Sequence, residues 1–361
     1  MHSICENKSE GVGLKYFGFS LVVTFFGLVG AGFWGFEHGG WAIALNMIFI
    51  VTILAVMEIS LSFDNAVVNA SILKTWDEYW KKLFLTVGMI VAVFGMRLLF
   101  PLVIVAQTAD ITLMEVWTLA LDNPQEYSNK LTMHHAEISA FGGIFLLLVF
   151  LNFLFDENKE IHWLGVVEEK LGLLGKVEAI SIFISVLALF ACLSFVAEEN
   201  KLVVLLAGLW GVLIYVGVDI VSSVLEKEEE DPALANIVKR GSIGGFLYLE
   251  VLDASFSFDG VIGAFAITKD IVIIMIGLGI GAMFVRSMTI YLVEKGTLDE
   301  YIYLEHGAHY AIGVLALIML LSMKFHIPEV VTGLIGVAFI ALALWSSIKY
   351  NRNHSKDEKC A

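Results

Sequence analysis

Charged residues are scarce in this chain. Asp, Glu, Lys and Arg make up 16% of its 361 residues, against 58% hydrophobic ones. With a mean hydropathy of +0.82, that imbalance excludes an ordinary soluble domain, which would have to bury several helices that are apolar all round. Apolar runs of about eighteen residues or more recur along the whole length, the mark of a polytopic membrane protein. Basic residues are the scarcer sign: 22 Lys and Arg stand against 37 Asp and Glu, for a net charge of −15. That balance excludes nucleic acid and an anionic lipid surface as principal partners. Only three cysteines occur, Cys5, Cys192 and Cys360, so no disulfide framework is expected. No cleavable signal-peptide pattern is present, because the first apolar run continues into a span.

The hydrophobic pattern predicts an all-α protein of about ten transmembrane helices, near 16–36, 42–73, 84–106, 134–155, 179–197, 202–225, 242–267, 270–293, 306–323 and 327–349. Segments 109–133 and 157–178 are partly amphipathic and are expected to lie along the surface. With the N-terminus placed in the cytoplasm and the sides alternating, inside segments hold 16 of the 22 basic residues. The outside loops hold 4, Lys130, Lys201, Lys269 and Lys324, and Arg97 and Arg286 fall within spans. This bias predicts cytoplasmic termini and fits a plasma (inner) membrane protein.

The chain also repeats itself. Ser60-Leu-Ser62-Phe-Asp64-Asn65 returns as Ser255-Phe-Ser257-Phe-Asp259-Gly260. The following span carries one arginine in each case, Arg97 and then Arg286, and the span after that opens with His134-His135-Ala-Glu137 or Glu305-His306-Gly-Ala-His309. A three-helix unit at 42–155 thus reappears at 242–323. The segments around the units are 1–41 with the first span, 156–241 with an amphipathic connector and two spans, and 324–361 with the last span and a cytoplasmic tail. The two acidic helices are an odd number of spans apart, so the units run in opposite directions. An inverted repeat of this kind is the layout of secondary transporters, whose site lies between the halves near mid-membrane.

The acidic motifs carry the chemistry. Each carboxylate in the middle of a span costs about 2.5–3.5 kcal/mol on the insertion scale, so Glu58, Asp64, Glu250, Asp253 and Asp259 together cost about 12–17 kcal/mol unless something compensates them. Arg97 and Arg286 return two of the five charges, and a divalent cation suits the remainder. Glu58 and Asp64 are six residues apart, about 120° around a regular helix, as are Asp253 and Asp259. The serines and Asn or Gly in both motifs are poor helix formers, which predicts breaks near Ser62–Asn65 and Ser257–Gly260 that let the acids converge and free backbone carbonyls. The available donors are oxygens: the five carboxylates, the Asn65 amide and the Ser62 and Ser257 hydroxyls. Such a set suits Mn²⁺, Ca²⁺ or Mg²⁺ as the transported ion, with cation entry exchanging for protons.

These paired motifs resemble the TerC family of integral membrane proteins, grouped with the LysE-type exporters. The likeness covers the two three-helix units and their flanks. It implies efflux of Mn²⁺ or a related divalent cation. The acidic positions it carries over are Glu58, Asp64, Asp253 and Asp259, and the membrane arginines are Arg97 and Arg286, expected as counter-ions of the acids. Many relatives have Asp-Ser-Ile-Pro-Ala at the second motif, where this chain has Asp259-Gly260-Val-Ile-Gly-Ala.

His134 with Glu137, next to His135, and His306 with His309 open spans on opposite sides and are candidate gate ligands or proton acceptors. Other functions are less favoured. These are export of Ca²⁺ or an organic solute, a membrane scaffold, and a membrane metalloenzyme built on His134, His135 and Glu137. No His-Glu-x-x-His pairing supports the enzyme, so a non-enzymatic protein is expected. Its partners are the lipid bilayer, the metal ion and, for all the sequence says, a second copy of itself.

Overall fold

In the computed structural model, which describes residues 3–228 and 243–360 without Met89, Asp110, Asn158, Glu178 and His326, every regular element is helical. The chain begins with α1 (Ser3–Gly39), followed by α2 (Trp41–Leu61), α3 (Phe63–Leu73) and the short α4 (Glu78–Leu83). Two π-helical stretches follow, Phe84–Gly88 and Val91–Leu99, and then α5 (Phe100–Ala109). The surface helices α6 (Leu113–Asp122) and α7 (Pro124–Met133) lead into α8 (His135–Leu154). The connector holds α9 (Val166–Gly172), α10 (Ile180–Leu193) and α11 (Lys201–Glu228). The rest comprises α12 (Ile243–Ile267), α13 (Ile271–Lys295), the single turn α14 (Thr297–Glu300), α15 (Leu304–Ser322) and α16 (Glu329–Cys360).

Local chemistry sets several of these boundaries. Thr112 and Glu115 close a capping box at the start of α6. Asn123 caps α7, with Pro124 in its first turn, where a missing N–H costs nothing. Asp270 caps α13 by accepting from the N–H groups of Val272 and Ile273. Gly296 ends that helix in the left-handed region at φ 62°, where a side chain would be strained.

Among the described residues, seven helices are long and apolar enough to cross a membrane, or eight if the pieces 166–176 and 180–193, bent by 99°, form one span. With that bent pair counted, two of the ten expected spans fall outside the set for visible reasons. The 84–106 segment is divided into short π- and α-helical pieces, and α12 carries Glu250, Asp253 and Asp259.

Helices from the two sequence units pack on each other in reciprocal fashion. α8 lies along α15, α2 and α3 lie along α13, and the π-helical run lies along α12. α1 covers α2 and α13, while α16 covers α15 and α2. Among lipid tails, apolar burial alone gives helices little reason to associate, so close approach of small residues matters more. Gly142 and Gly143 let α8 meet Met319 and Leu320 of α15. Gly277 and Gly281 let α13 press against Leu54, Ala55 and Glu58 of α2. One apolar core surrounds α8 and α15, with Phe145, Leu148 and Ile312. A second joins α2 and α13 to α6 and α7 through Leu54, Leu278, Val116 and Tyr127.

The predicted helix breaks have different outcomes. The first exists: Ser62, at φ −105° and ψ 16°, separates α2 from α3. It is shallow, because Ser62 N–H still donates to the Glu58 carbonyl at 3.0 Å and Ala66 N–H to that of Ser62 at 3.1 Å, so neither of those carbonyls is freed. The second does not occur, since α12 is helical through Ser257 and Gly260. Propensity is a weak prior, and inside a membrane an unbroken helix satisfies its own backbone. The Ser255 hydroxyl donates to the Val251 carbonyl within the helix at 2.9 Å.

Candidate metal centre

Glu58, Asp64, Glu250 and Asp253 are buried on α2, α3 and α12, and among the described residues they do not form one cluster. Glu58 is 1% exposed and accepts a 2.9 Å hydrogen bond from the Ser62 hydroxyl. Its Oε1 also pairs with the terminal nitrogen NH2 of Arg97, whose side chain is 8% exposed. The other terminal nitrogen of Arg97 donates to the Ala92 carbonyl at 2.9 Å, five residues back along the π-helical turn. Arg97 is therefore a counter-ion, as expected. Gly260 and Gly281 make room for Glu58. A Cβ at Gly260 would stand 2.9 Å from Glu58 Oε2, and one at Gly281 would stand 2.5 Å from Glu58 Cβ.

Asp253 holds a second position. Its Oδ1 accepts from Asn65 Nδ2 at 2.7 Å and from Asn69 Nδ2 at 2.9 Å. Sequence reasoning missed Asn69. Its signal is the spacing of four residues from Asn65, which puts both amides on one helical face. Glu250 lies one turn before Asp253 and is 7% exposed, yet among the described residues neither of its carboxylate oxygens has a hydrogen-bond partner. Gly88 leaves it space, since a Cβ there would meet Glu250 Oε1 at 2.4 Å. The Ser257 hydroxyl and the Oδ1 atoms of Asn65 and Asn69 are likewise buried without partners among the described residues. Glu250, Asp253 and Ser257 fall at i, i+3 and i+7 on α12, which is one face of a helix.

Asp64 points elsewhere. It accepts from the Asn65 N–H at 3.0 Å, lies beside Gly336 of α16, and borders an enclosed cavity of about 20 Å³ also lined by Ala311, Leu315 and Thr332. That volume holds about one water molecule. Glu58 and Asp64 thus have different hydrogen-bond partners. With the break at Ser62 so shallow, most of the 120° between them remains. For Asp259 the structure describes only the helical backbone, and its side chain lies outside the described residues.

Arg286 is held differently from Arg97. It forms no ion pair among the described residues. Its Nε donates to the Leu85 carbonyl at 2.5 Å, and its guanidinium sits 5.9 Å from the centre of the Phe19 ring. That carbonyl is 201 residues away in sequence, and the side chain of Asp259, the acid of the second motif, lies outside the described residues.

The histidines stand at helix starts, as expected. His134 Nδ1 is 3.3 Å from Glu137 Oε1, and His135 Nε2 is 3.4 Å from the Ser139 hydroxyl. His306 Nε2 is 2.8 Å from the Ile161 carbonyl and 3.4 Å from Glu168 Oε1, and His309 Nδ1 is 2.9 Å from the Glu305 carbonyl. The Phe153 ring stacks on His309 at 3.9 Å. Lys159 Nζ reaches Glu168 Oε1 at 2.5 Å, so His306 belongs to a latch that ties the 159–168 segment to α15. Burial pushes the Glu168 carboxyl upward. The Lys159 hydrogen bond, the Leu164 N–H and the neighbouring His306 and Lys159 outweigh it and hold the carboxyl below the usual range.

Among the described residues, no three His, Cys, Asp or Glu side chains stand close enough to share one ion. Any cation held by these groups must therefore draw on amide and hydroxyl oxygens as well as carboxylates. Helices long and apolar enough to span, wrapped around buried acids, give the architecture of a polytopic helical membrane protein. The chain belongs to the family described as protein of unknown function (DUF475), whose model matches residues 63–354. No curated protein and no solved structure matches it.

Proposed function

We propose that this protein exports a divalent metal cation through the buried face shared by α3 and α12. The observation that carries this reading is Glu250, with both carboxylate oxygens unpartnered in the interior beside Asp253 and the unused oxygens of Asn65, Asn69 and Ser257. An unpaired buried carboxylate is expensive, and a cation removes that cost. Because Arg97 offsets Glu58, Glu250 and Asp253 leave two negative charges, which one divalent ion neutralises. A half-turn of either amide would present Oδ1 in place of Nδ2, completing an all-oxygen set suited to Mn²⁺, Ca²⁺ or Mg²⁺. The resemblance to TerC proteins favours Mn²⁺ among them.

Alternating access between two inverted halves, with protons exchanged for the ion, is the mechanism we assign. Reciprocal packing supports it: each acidic helix lies against the arginine-bearing segment of the other unit, and α8 packs on α15. The test is flux into proteoliposomes with Mn²⁺, Ca²⁺ and Mg²⁺ as separate substrates. Glu250→Gln and Asp253→Asn should each reduce Mn²⁺ flux at least about tenfold, the equivalent of roughly 1.4 kcal/mol in the ion's stabilisation. Undiminished flux in both variants would remove this site from the pathway.

A further inference from the structure

A cleft of about 790 Å³ opens between α1, the π-helical stretches and α13, with Arg97, the partner of Glu58, among its lining residues. Its wall is apolar, with Phe19, Phe26 and Gly30 of α1 facing Ile276 and Ile280 of α13. Phe19 and Phe26 are exposed, so the cleft opens to the outside of the helix bundle, where lipid would lie. Two arginines interrupt it. They are Arg286 and Arg97, and Thr86 adds a hydroxyl to the lining. From Phe19 to Gly30, α1 rises about 16 Å, close to half of a hydrocarbon core about 30 Å thick. The cleft therefore has the length of one leaflet.

Arg286 has no acidic partner among the described residues. Arg286 uses Nε on the Leu85 carbonyl, and its two terminal nitrogens make no hydrogen bond among the described residues. A half-buried cation with that fork left open, at the head of an apolar channel one leaflet long, is complementary to a phosphodiester attached to an acyl chain. Phe19, Leu85 and Arg286 all sit toward the helix ends that the distribution of basic residues assigns to the cytoplasm, so the molecule would come from that leaflet.

We propose that this cleft binds one anionic phospholipid, its phosphate on the Arg286 guanidinium and an acyl chain along α1 and α13 toward Gly30. The site does not depend on the metal-transport reading. It takes a single lipid into a groove and implies no general attraction of this acidic chain to an anionic surface. Gly30 has open space around it, with no atom within 4 Å of an added Cβ. A larger side chain there would fill the cleft without disturbing a packed neighbour.

The test is binding to the detergent-purified full chain, read by native mass spectrometry and by melting temperature. The probes are phosphatidylglycerol, phosphatidylcholine with matched chains, and inorganic phosphate. Phosphatidylglycerol should bind one molecule per chain about tenfold or more tightly than phosphatidylcholine and raise the melting temperature, whereas phosphate alone should do neither. Arg286→Gln should abolish the preference for phosphatidylglycerol, Arg286→Lys should keep part of it, and Gly30→Leu should exclude both lipids. If Arg286→Gln does not fold, Gly30→Leu decides. Equal binding of the two lipids overturns the proposal, as does an unaltered phosphatidylglycerol preference in Gly30→Leu, or stabilisation by phosphate alone equal to that by the lipid.

Discussion

Removing Arg97 tests the electrostatic logic of the interior directly. In Arg97→Leu, Glu58 would remain 1% exposed with the Ser62 hydroxyl at 2.9 Å as its hydrogen-bond donor. Stranding one member of a buried pair typically costs about 3–5 kcal/mol, most of it the price of an uncompensated charge rather than the worth of the pair. Leucine covers much of the volume of the arginine stem, so the loss of packing adds little. The Ala92 carbonyl also loses its 2.9 Å donor, worth about 1.5–3 kcal/mol for a charged bond. The expected total lies toward the upper part of the first range, because the two losses share one side chain and are not additive. Glu58→Leu with Arg97→Leu should recover most of the loss, since two apolar groups need no compensation. Unfolding free energies of the wild type, both single variants and the double variant in one detergent give the cycle. An Arg97→Leu loss below about 1 kcal/mol, or a double variant no more stable than Arg97→Leu, would refute the account.

Gly281→Ala should destabilise by about 1–3 kcal/mol through overpacking, because the added carbon would stand 2.5 Å from Glu58 Cβ and 3.0 Å from the Ala55 carbonyl. Gly30→Ala, which meets nothing within 4 Å, serves as its control in melting experiments, and equal losses would contradict the packing argument. The Glu168 carboxyl is held below its usual range by Lys159, the Leu164 N–H and His306 against the upward push of burial. Its contribution is therefore fully present above the unfolded value of about 4.3 and is lost as pH falls through the lower folded value. Amide exchange in 159–176 should accelerate below that range, and Glu168→Gln should give similar acceleration at neutral pH; protection that is the same in both would show that the latch does not hold this segment.

Much of the architecture was legible because composition and hydrophobic run length depend only on which residues are apolar. The long apolar helices, the acidic residues buried in α2, α3 and α12, and the interruption at Ser62 follow from local sequence. Arg97 was legible as a counter-ion because a buried guanidinium needs an acid within reach. The break expected in α12 shows the limit of that approach: Ser257 and Gly260 look like weak points in isolation, but a helix surrounded by protein and lipid has no better use for its backbone groups.

The sequence by itself determined that this is a helical chain built to hold acids among apolar spans, and which residues those acids are. Tertiary structure alone decided how they are shared out. Asn65 and Asn69 bond an aspartate 188 and 184 residues away, Glu58 goes to Arg97, Asp64 faces α16 and Arg286 turns to a carbonyl. Those outcomes depend on the rotation of each helix about its axis and on glycines that admit one neighbour rather than another. Periodicity along a single helix records which faces are apolar, but it carries no information about which other helix those faces will meet.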